Sequence, residues 1–299
     1  MLAIYFVLIF AAVSTQHVYA SDVEPSDIPI SFDEALAGLN SWRIDFGSTI
    51  GLSSARQLST LSSVVELNDG EMFDIPFTFE ESSDNETVDL FLGVRYGVGA
   101  KTELYAIVNG RHQTSRGTIA DFPFSSSASG LSTLRLGVNR ELIPVGHNHP
   151  AVLMFIETLA LENVATEGHR FVSGKSWVAG LTVYQSADPL IFATSLSYSI
   201  RRQKQTSIGF LDEPEVLSLS PSLVFLPNHT TSLTLGVSLS HRFDSFLDER
   251  KIASPRTDYS LQLGASYIFS ESLFVDVTTN IRFTGEGASQ FGFRIVRTI

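Results

Sequence analysis

Few residues in this chain have the types and spacing for covalent chemistry. Arg111-His112-Gln113-Thr114-Ser115-Arg116 sets an imidazole beside two hydroxyls, the ingredients of a general base and a nucleophile. On an extended strand only side chains two residues apart share a face, so Thr114 is the hydroxyl that meets His112, and Ser115 points to the other side. His147 and His149, in Gly146-His147-Asn148-His149-Pro150, have the H-x-H spacing of a metal pair but no third ligand close by. The acidic groups Glu80-Glu81-Asp84-Glu86, Asp212-Glu213-Glu215 and Asp244-Asp248-Glu249 offer hard oxygen ligands that divalent cations could share with lipid phosphates, yet in loops they are expected to be solvated. The reading is therefore of a protein that is not an enzyme and has no catalytic residues, cofactor or resident metal.

A second set of residues is placed by a different rule. Arg43, Asp45, Asp89, Arg95, Glu103, Arg111, Arg135, Glu141, Glu157, Asp276, Arg282 and Arg294 occupy alternate positions in segments whose intervening residues are apolar. If those segments cross lipid, each basic side chain facing it near the midplane would cost roughly 2–4 kcal/mol, so the register with these charges inward has the lower energy. Enclosed together, they either line a pore that orients a polar or anionic solute or pair across neighbouring strands and partly fill the lumen. Both readings stand on the sequence alone.

The elements that must hold them are strands. From residue 42 to 299 the chain divides into segments of roughly ten residues alternating apolar and polar side chains, the length a tilted strand needs to cross a bilayer. In 232–241, Leu233, Leu235, Val237 and Leu239 oppose Thr234, Gly236, Ser238 and Ser240. Twelve segments are expected, at 42–53, 87–96, 103–112, 131–142, 151–162, 176–185, 190–201, 216–226, 232–242, 258–269, 272–283 and 290–299. Their links alternate between short ones and long polar ones at 54–86, 113–130, 163–175, 202–215 and 243–257. Membrane barrels have short periplasmic turns and long external loops, so the alternation also orients the chain, with both ends periplasmic. Within 54–86, residues 72–79 alternate like a strand and could extend the sheet above the membrane. A soluble β-sandwich would alternate as well, but its strands are usually about five or six residues long. Here several apolar faces end in Trp42, Tyr96, Trp177, Tyr184, Phe225, Phe269 or Phe283, as interfacial girdles require.

Composition agrees. Residues 1–20 hold an apolar run from Leu2 to Val13 and end in Val18-Tyr19-Ala20, which reads as a secretory leader cleaved after Ala20, although no Lys or Arg precedes the run. There is no cysteine, which excludes disulfides and a lipoprotein anchor. A net charge of −12 argues against nucleic acid as a partner. Mean hydropathy is high for an exported protein, +0.15, yet beyond Val13 no apolar run is long enough for a spanning helix. A closed barrel is the remaining way to satisfy every backbone polar group in lipid.

Between leader and barrel (41–299), residues 21–40 form an acidic, proline-containing segment. Ser31 and Glu34 match a capping box, and Phe32, Ala35, Leu36 and Leu39 fall on one face at helical spacing. Two turns alone cannot offset helix nucleation. The segment is either a linker or a short helix that plugs the periplasmic mouth, Asp33 and Glu34 meeting lumenal arginines.

Two resemblances bear on function. Outer-membrane phospholipase A has serine two residues after its histidine, followed by Asn-Gly; this chain departs from that pattern at Thr114, which puts lipid hydrolysis in doubt. The hairpin Phe91-Leu92-Gly93-Val94-Arg95-Tyr96-Gly97-Val98-Gly99-Ala100-Lys101-Thr102-Glu103-Leu104 resembles the strand-turn-strand pattern of outer-membrane proteins grouped as the meta-pathway phenol-degradation family. That resemblance implies a barrel of about twelve strands passing small, often aromatic, solutes. The expectation is a closed antiparallel transmembrane β-barrel with a short N-terminal helix, acting as a passive outer-membrane channel for small aromatic or anionic solutes. The alternatives are a secretion pore for an extracellular polypeptide, a structural barrel and a lipid-modifying enzyme. Expected partners are outer-membrane lipid, lipopolysaccharide and the barrel assembly machinery.

Overall fold

The computed structural model describes residues 36–66, 72–119, 122–144, 146, 149–163, 171–205, 209–283 and 288–299. The leader, most of the 21–40 segment with Phe32, Asp33 and Glu34, and His147 lie outside the described residues. Among the described residues, twelve long strands occur in chain order: β1 (Trp42–Glu66), β2 (Met72–Gly99), β3 (Thr102–Ile119), β4 (Phe122–Ile143), β5 (Ala151–Asn163), β6 (Ser176–Ala187), β7 (Leu190–Arg201), β8 (Val216–Asn228), β9 (Thr231–Arg242), β10 (Arg256–Ser270), β11 (Leu273–Arg282) and β12 (Ala288–Thr298). Each pairs antiparallel with its sequence neighbours, and β1 pairs with β12 from Arg43↔Thr298 to Ser53↔Ala288, which closes the barrel. Closure leaves no unpaired edge among these strands, the condition a sheet must meet in lipid.

The alternation is inside-out relative to a soluble protein. Arg43, Asp45, Arg95, Glu103, Asp276 and Arg294 are buried, while Ile44, Phe46, Leu92, Leu104, Leu233, Leu235 and Leu263 on the opposite face are exposed. The exposed face is the lipid face. It ends in aromatic residues at both rims, with Trp42, Tyr267 and Phe269 at one and Trp177, Tyr259 and Phe283 at the other. Trp42 and Tyr96 pack with ring centroids 4.6 Å apart. Tyr184 breaks the expected girdle. It shares the inward parity of Thr182 and is 1% exposed, packed inside the barrel against Leu36, Ala151 and Leu153.

Two spans expected as long links are largely strand, and in one of them residues 72–79 extend the sheet as their alternation suggested. β1 runs for 25 residues and β2 for 28, paired continuously from Trp42↔Tyr96 to Glu66↔Met72, and β3 and β4 pair from Thr102↔Arg140 to Ile119↔Phe122. At about 3.3 Å per residue such strands far exceed a bilayer's roughly 30 Å core, so this hairpin pair projects beyond it. Alternation marks a strand only where one face meets lipid. Above the membrane both faces meet water, so the pattern there need not alternate: residues 124–130 read FSSSASG, polar or small at almost every position. The spans 202–215 and 243–257 stay loops, folded into a small sheet of Lys204–Gln205, Phe210–Asp212, Ser245–Leu247 and Arg250–Ala253 at the same end.

The lipid-face assignment has a direct test. Leu235→Arg puts a cation on the exposed face of β9 near its middle and is expected to cost roughly 2–4 kcal/mol in urea unfolding from lipid vesicles. An unaffected unfolding midpoint would contradict the assignment.

Candidate functional site

Strand register brings the inward charges together as cross-strand pairs. Near the β1 start, Arg43 and Arg95 sit directly opposite each other, and Asp45 lies one pleat further on the same face. Arg95 donates from Nε to Asp45 Oδ2 at 2.5 Å and from Nη1 to Glu103 Oε1 at 3.1 Å. Asn139, opposite Glu103 on β4, donates to the same Oε1 at 2.9 Å. Asp276 and Arg294 are directly opposed, with Arg294 donating to Asp276 Oδ2 from Nε at 2.8 Å and Nη2 at 2.5 Å. Glu103 is fully buried, so these ions rely on one another rather than on water. Lys101 reaches Glu141 at 2.8 Å at the rim.

Further along the same wall the lumen opens into a cavity of about 330 Å³, lined among others by Asp89, Phe91, Tyr105, Arg111, Arg135 and Glu157. Arg111 grips Asp89, directly opposite, with two hydrogen bonds of 2.7 and 3.1 Å. Tyr105 donates to Glu157 at 3.1 Å, and Arg135 lies 3.5 Å from both oxygens of Glu157. These pairs are half-exposed to the cavity, so they set a local field while remaining reachable by a solute. All the charges expected to line the pore thus share the inward face. Arg282 stands apart from this network, at the far end of β11.

The rest of the wall is of another kind. β6 to β10 present Thr182, Ser195, Ser220, Ser238, Thr234, Ser260 and Gln262 inward, with hydroxyls bonded across strands at Thr182–Ser195 (2.8 Å) and Ser220–Ser238 (3.0 Å). The lumen therefore has an ionic side and a hydroxyl side. This neutral half was overlooked, although the serines were legible as the polar face of each repeat. Asn139, Asp258 and Arg242 share that legible parity. Lys204, wholly buried against Glu162 and Glu213 at 2.7 and 2.9 Å, comes from a loop and has no sequence signal.

The described end of the N-terminal segment enters the barrel mouth. Ala37 N–H donates to Glu103 Oε2 at 2.6 Å, and Leu36 packs in the lumen on Ala151, Leu153 and Tyr184. Residues 36–40 are not helical, and Leu36 and Leu39 do not share a face: Leu36 is 3% exposed and Leu39 59%. The chain lies along β2 instead, with Asn40 N–H donating to Gly97 O at 2.9 Å, so barrel-wall hydrogen bonds replace helical ones.

Of the two hydroxyls beside His112, one meets the imidazole and the other does not. Thr114 Oγ1 lies 3.4 Å from His112 Nε2 on the outer face, while Ser115 points the opposite way and bonds Asn85 Oδ1 at 2.6 Å. Among the described residues no group of His, Asp and Glu forms a metal-ligand cluster.

No protein-family model matches the chain, and no curated protein matches it. Among solved structures, an outer membrane channel from Pseudomonas putida F1 superposes with a TM-score of 0.61 at 10% identity, covering 94% of this chain and 100% of that one. The transport unit of the autotransporter AIDA-I from Escherichia coli gives 0.49 at 10% identity, covering 86% of this chain and 90% of that one. The translocator domain of the autotransporter NalP from Neisseria meningitidis gives 0.47 at 11%, covering 86% and 88%. At these identities likeness establishes architecture, and the architecture this chain shares with the first of them is that of an outer-membrane β-barrel.

Proposed function

We propose that this chain is a passive outer-membrane channel for small polar or charged solutes, with its N-terminus in the periplasm. The observation that carries this reading is the inverted burial of a closed barrel: ion pairs and hydroxyls enclosed, leucine and aromatic side chains outside. A protein that only needed to sit in the membrane could fill its lumen with apolar side chains. Here paired charges flank a cavity of about 330 Å³, an arrangement suited to steering a solute. The fold shared with a bacterial outer membrane channel supports transport rather than catalysis. The long β1–β4 projection lies on the external side in this orientation, where lipopolysaccharide surrounds it, and insertion would rely on the barrel assembly machinery.

Purified protein that shifts on SDS gels when boiled, as intact barrels do, is expected to give discrete single-channel steps in planar bilayers and to admit small solutes in liposome swelling. Folded protein that gives neither would leave a structural barrel in place of a channel.

A further inference from the structure

The external rim of the lumen carries basic charge that the ionic side does not explain. Arg201, Arg242, Arg256 and Arg282 occupy inward register positions on β7, β9, β10 and β11, forming an arc at the end opposite the N-terminal segment. Arg242 and Arg256 are directly opposed across the β9–β10 ladder, a like-charge pairing that disfavours the hairpin. Arg242 lies near enough to Arg201, Arg256 and Arg282 to feel all three charges. Among the described residues, ion pairs join two carboxylates to three of these four guanidiniums. Asp258 sits 3.1 Å from Arg242 and 3.6 Å from Arg256, and Glu213 sits 3.0 Å from Arg201 but is shared with Lys204. In the lower network Arg95, Arg111, Arg135 and Arg294 each have, within 3.5 Å, a carboxylate that no other of the four shares. Cations that share their carboxylates, gathered on one arc of the lumen, are arranged for an anion that arrives from outside.

Resting on the channel reading, we propose that this arc is an anion-binding vestibule that makes the pore anion-selective and admits small organic carboxylates. Guanidinium forks match a carboxylate's two oxygens, and arginine remains charged at any physiological pH. At about 0.1 M salt the screening length of roughly 10 Å covers two strand spacings of about 4.8 Å, so neighbouring members of the arc reinforce one another. Once past them, a carboxylate meets hydroxyls on one side and paired charges on the other.

The test is single-channel recording in planar bilayers of neutral phosphatidylcholine, which excludes lipopolysaccharide phosphates as the bound anion. In a KCl gradient the intact protein is expected to favour chloride over potassium, and butyrate on the arc side should reduce the chloride current. Arg242→Gln with Arg282→Gln should bring the permeability ratio down about threefold, toward unity, and abolish the butyrate effect. Arg242→Lys with Arg282→Lys should keep selectivity and weaken the butyrate effect, because the charge stays and the fork is lost. A conducting wild type that favours potassium would overturn the proposal, as would a heat-modifiable glutamine double variant with unchanged selectivity. A folded wild type with no conductance would instead overturn the channel reading beneath it.

Discussion

Replacing Arg95 with methionine is expected to destabilise the barrel by about 3–5 kcal/mol, measured by urea unfolding in vesicles or by the temperature at which the compact SDS-gel form is lost. Arg95 bridges Asp45 and Glu103, at 2.5 and 3.1 Å, and all three side chains are at most 6% exposed. Without the guanidinium both carboxylates lose their direct ionic partner at low dielectric, and Asn139, the Ala37 amide and the nearby charge of Arg43 make up only part of the loss. The penalty comes from the orphaned charges, so the triple change Arg95→Met, Asp45→Asn and Glu103→Gln should recover most of it, whereas either carboxamide substitution beside intact Arg95 should not. A methionine variant as stable as wild type would mean that water reaches these groups freely and that the lumen here is open.

Much of this was legible before any coordinates. A two-residue repeat specifies which side chains are enclosed, because shifting it by one residue would turn every charge into lipid. The inward placement of Arg43, Asp45 and Asp276 follows from that parity alone. Partners are a different matter: Asp276 meets Arg294 and Arg95 meets Glu103 through inter-strand register, which depends on turn lengths and on shifts such as that between Gly97 and Gly99. Where no lipid imposes parity the signal fades, and so the outer halves of β1, β3 and β4 passed for links, while in β2 the alternation of 72–79 pointed to the extension of the sheet that is found. Tyr184 misled for a related reason, since an aromatic near a strand end suits the membrane interface and the inner mouth equally well. Its partner there, Leu36, comes from a segment whose helical spacing pointed to another conformation.

That segment leads to the second large effect. Gly97→Ala is expected to raise single-channel conductance several-fold while leaving the compact form intact on gels. A Cβ on Gly97 would overlap the carbonyl oxygens of Gly38 and Ala37, which cross directly over it. These oxygens belong to backbone, so relief requires the segment to lift away, breaking the Asn40–Gly97 hydrogen bond of 2.9 Å and the 2.6 Å bond from Ala37 to Glu103. Leu36 would leave its place on Tyr184 and Leu153, losing roughly 1.5–3 kcal/mol of burial. Alanine is the better strand residue by about 0.5–1 kcal/mol, which offsets part of that loss within β2 and keeps the wall itself sound. The variant should therefore lose roughly 0.5–2.5 kcal/mol, too little to unfold a closed barrel, while the mouth widens. Removing residues 21–40 tests the same idea without touching the wall, and it should match Gly97→Ala in conductance. If both variants conduct like wild type, the segment rests against the wall without narrowing the path. If the deletion alone opens the pore, the carbonyls have found another route past the new methyl group and the constriction lies elsewhere along the segment.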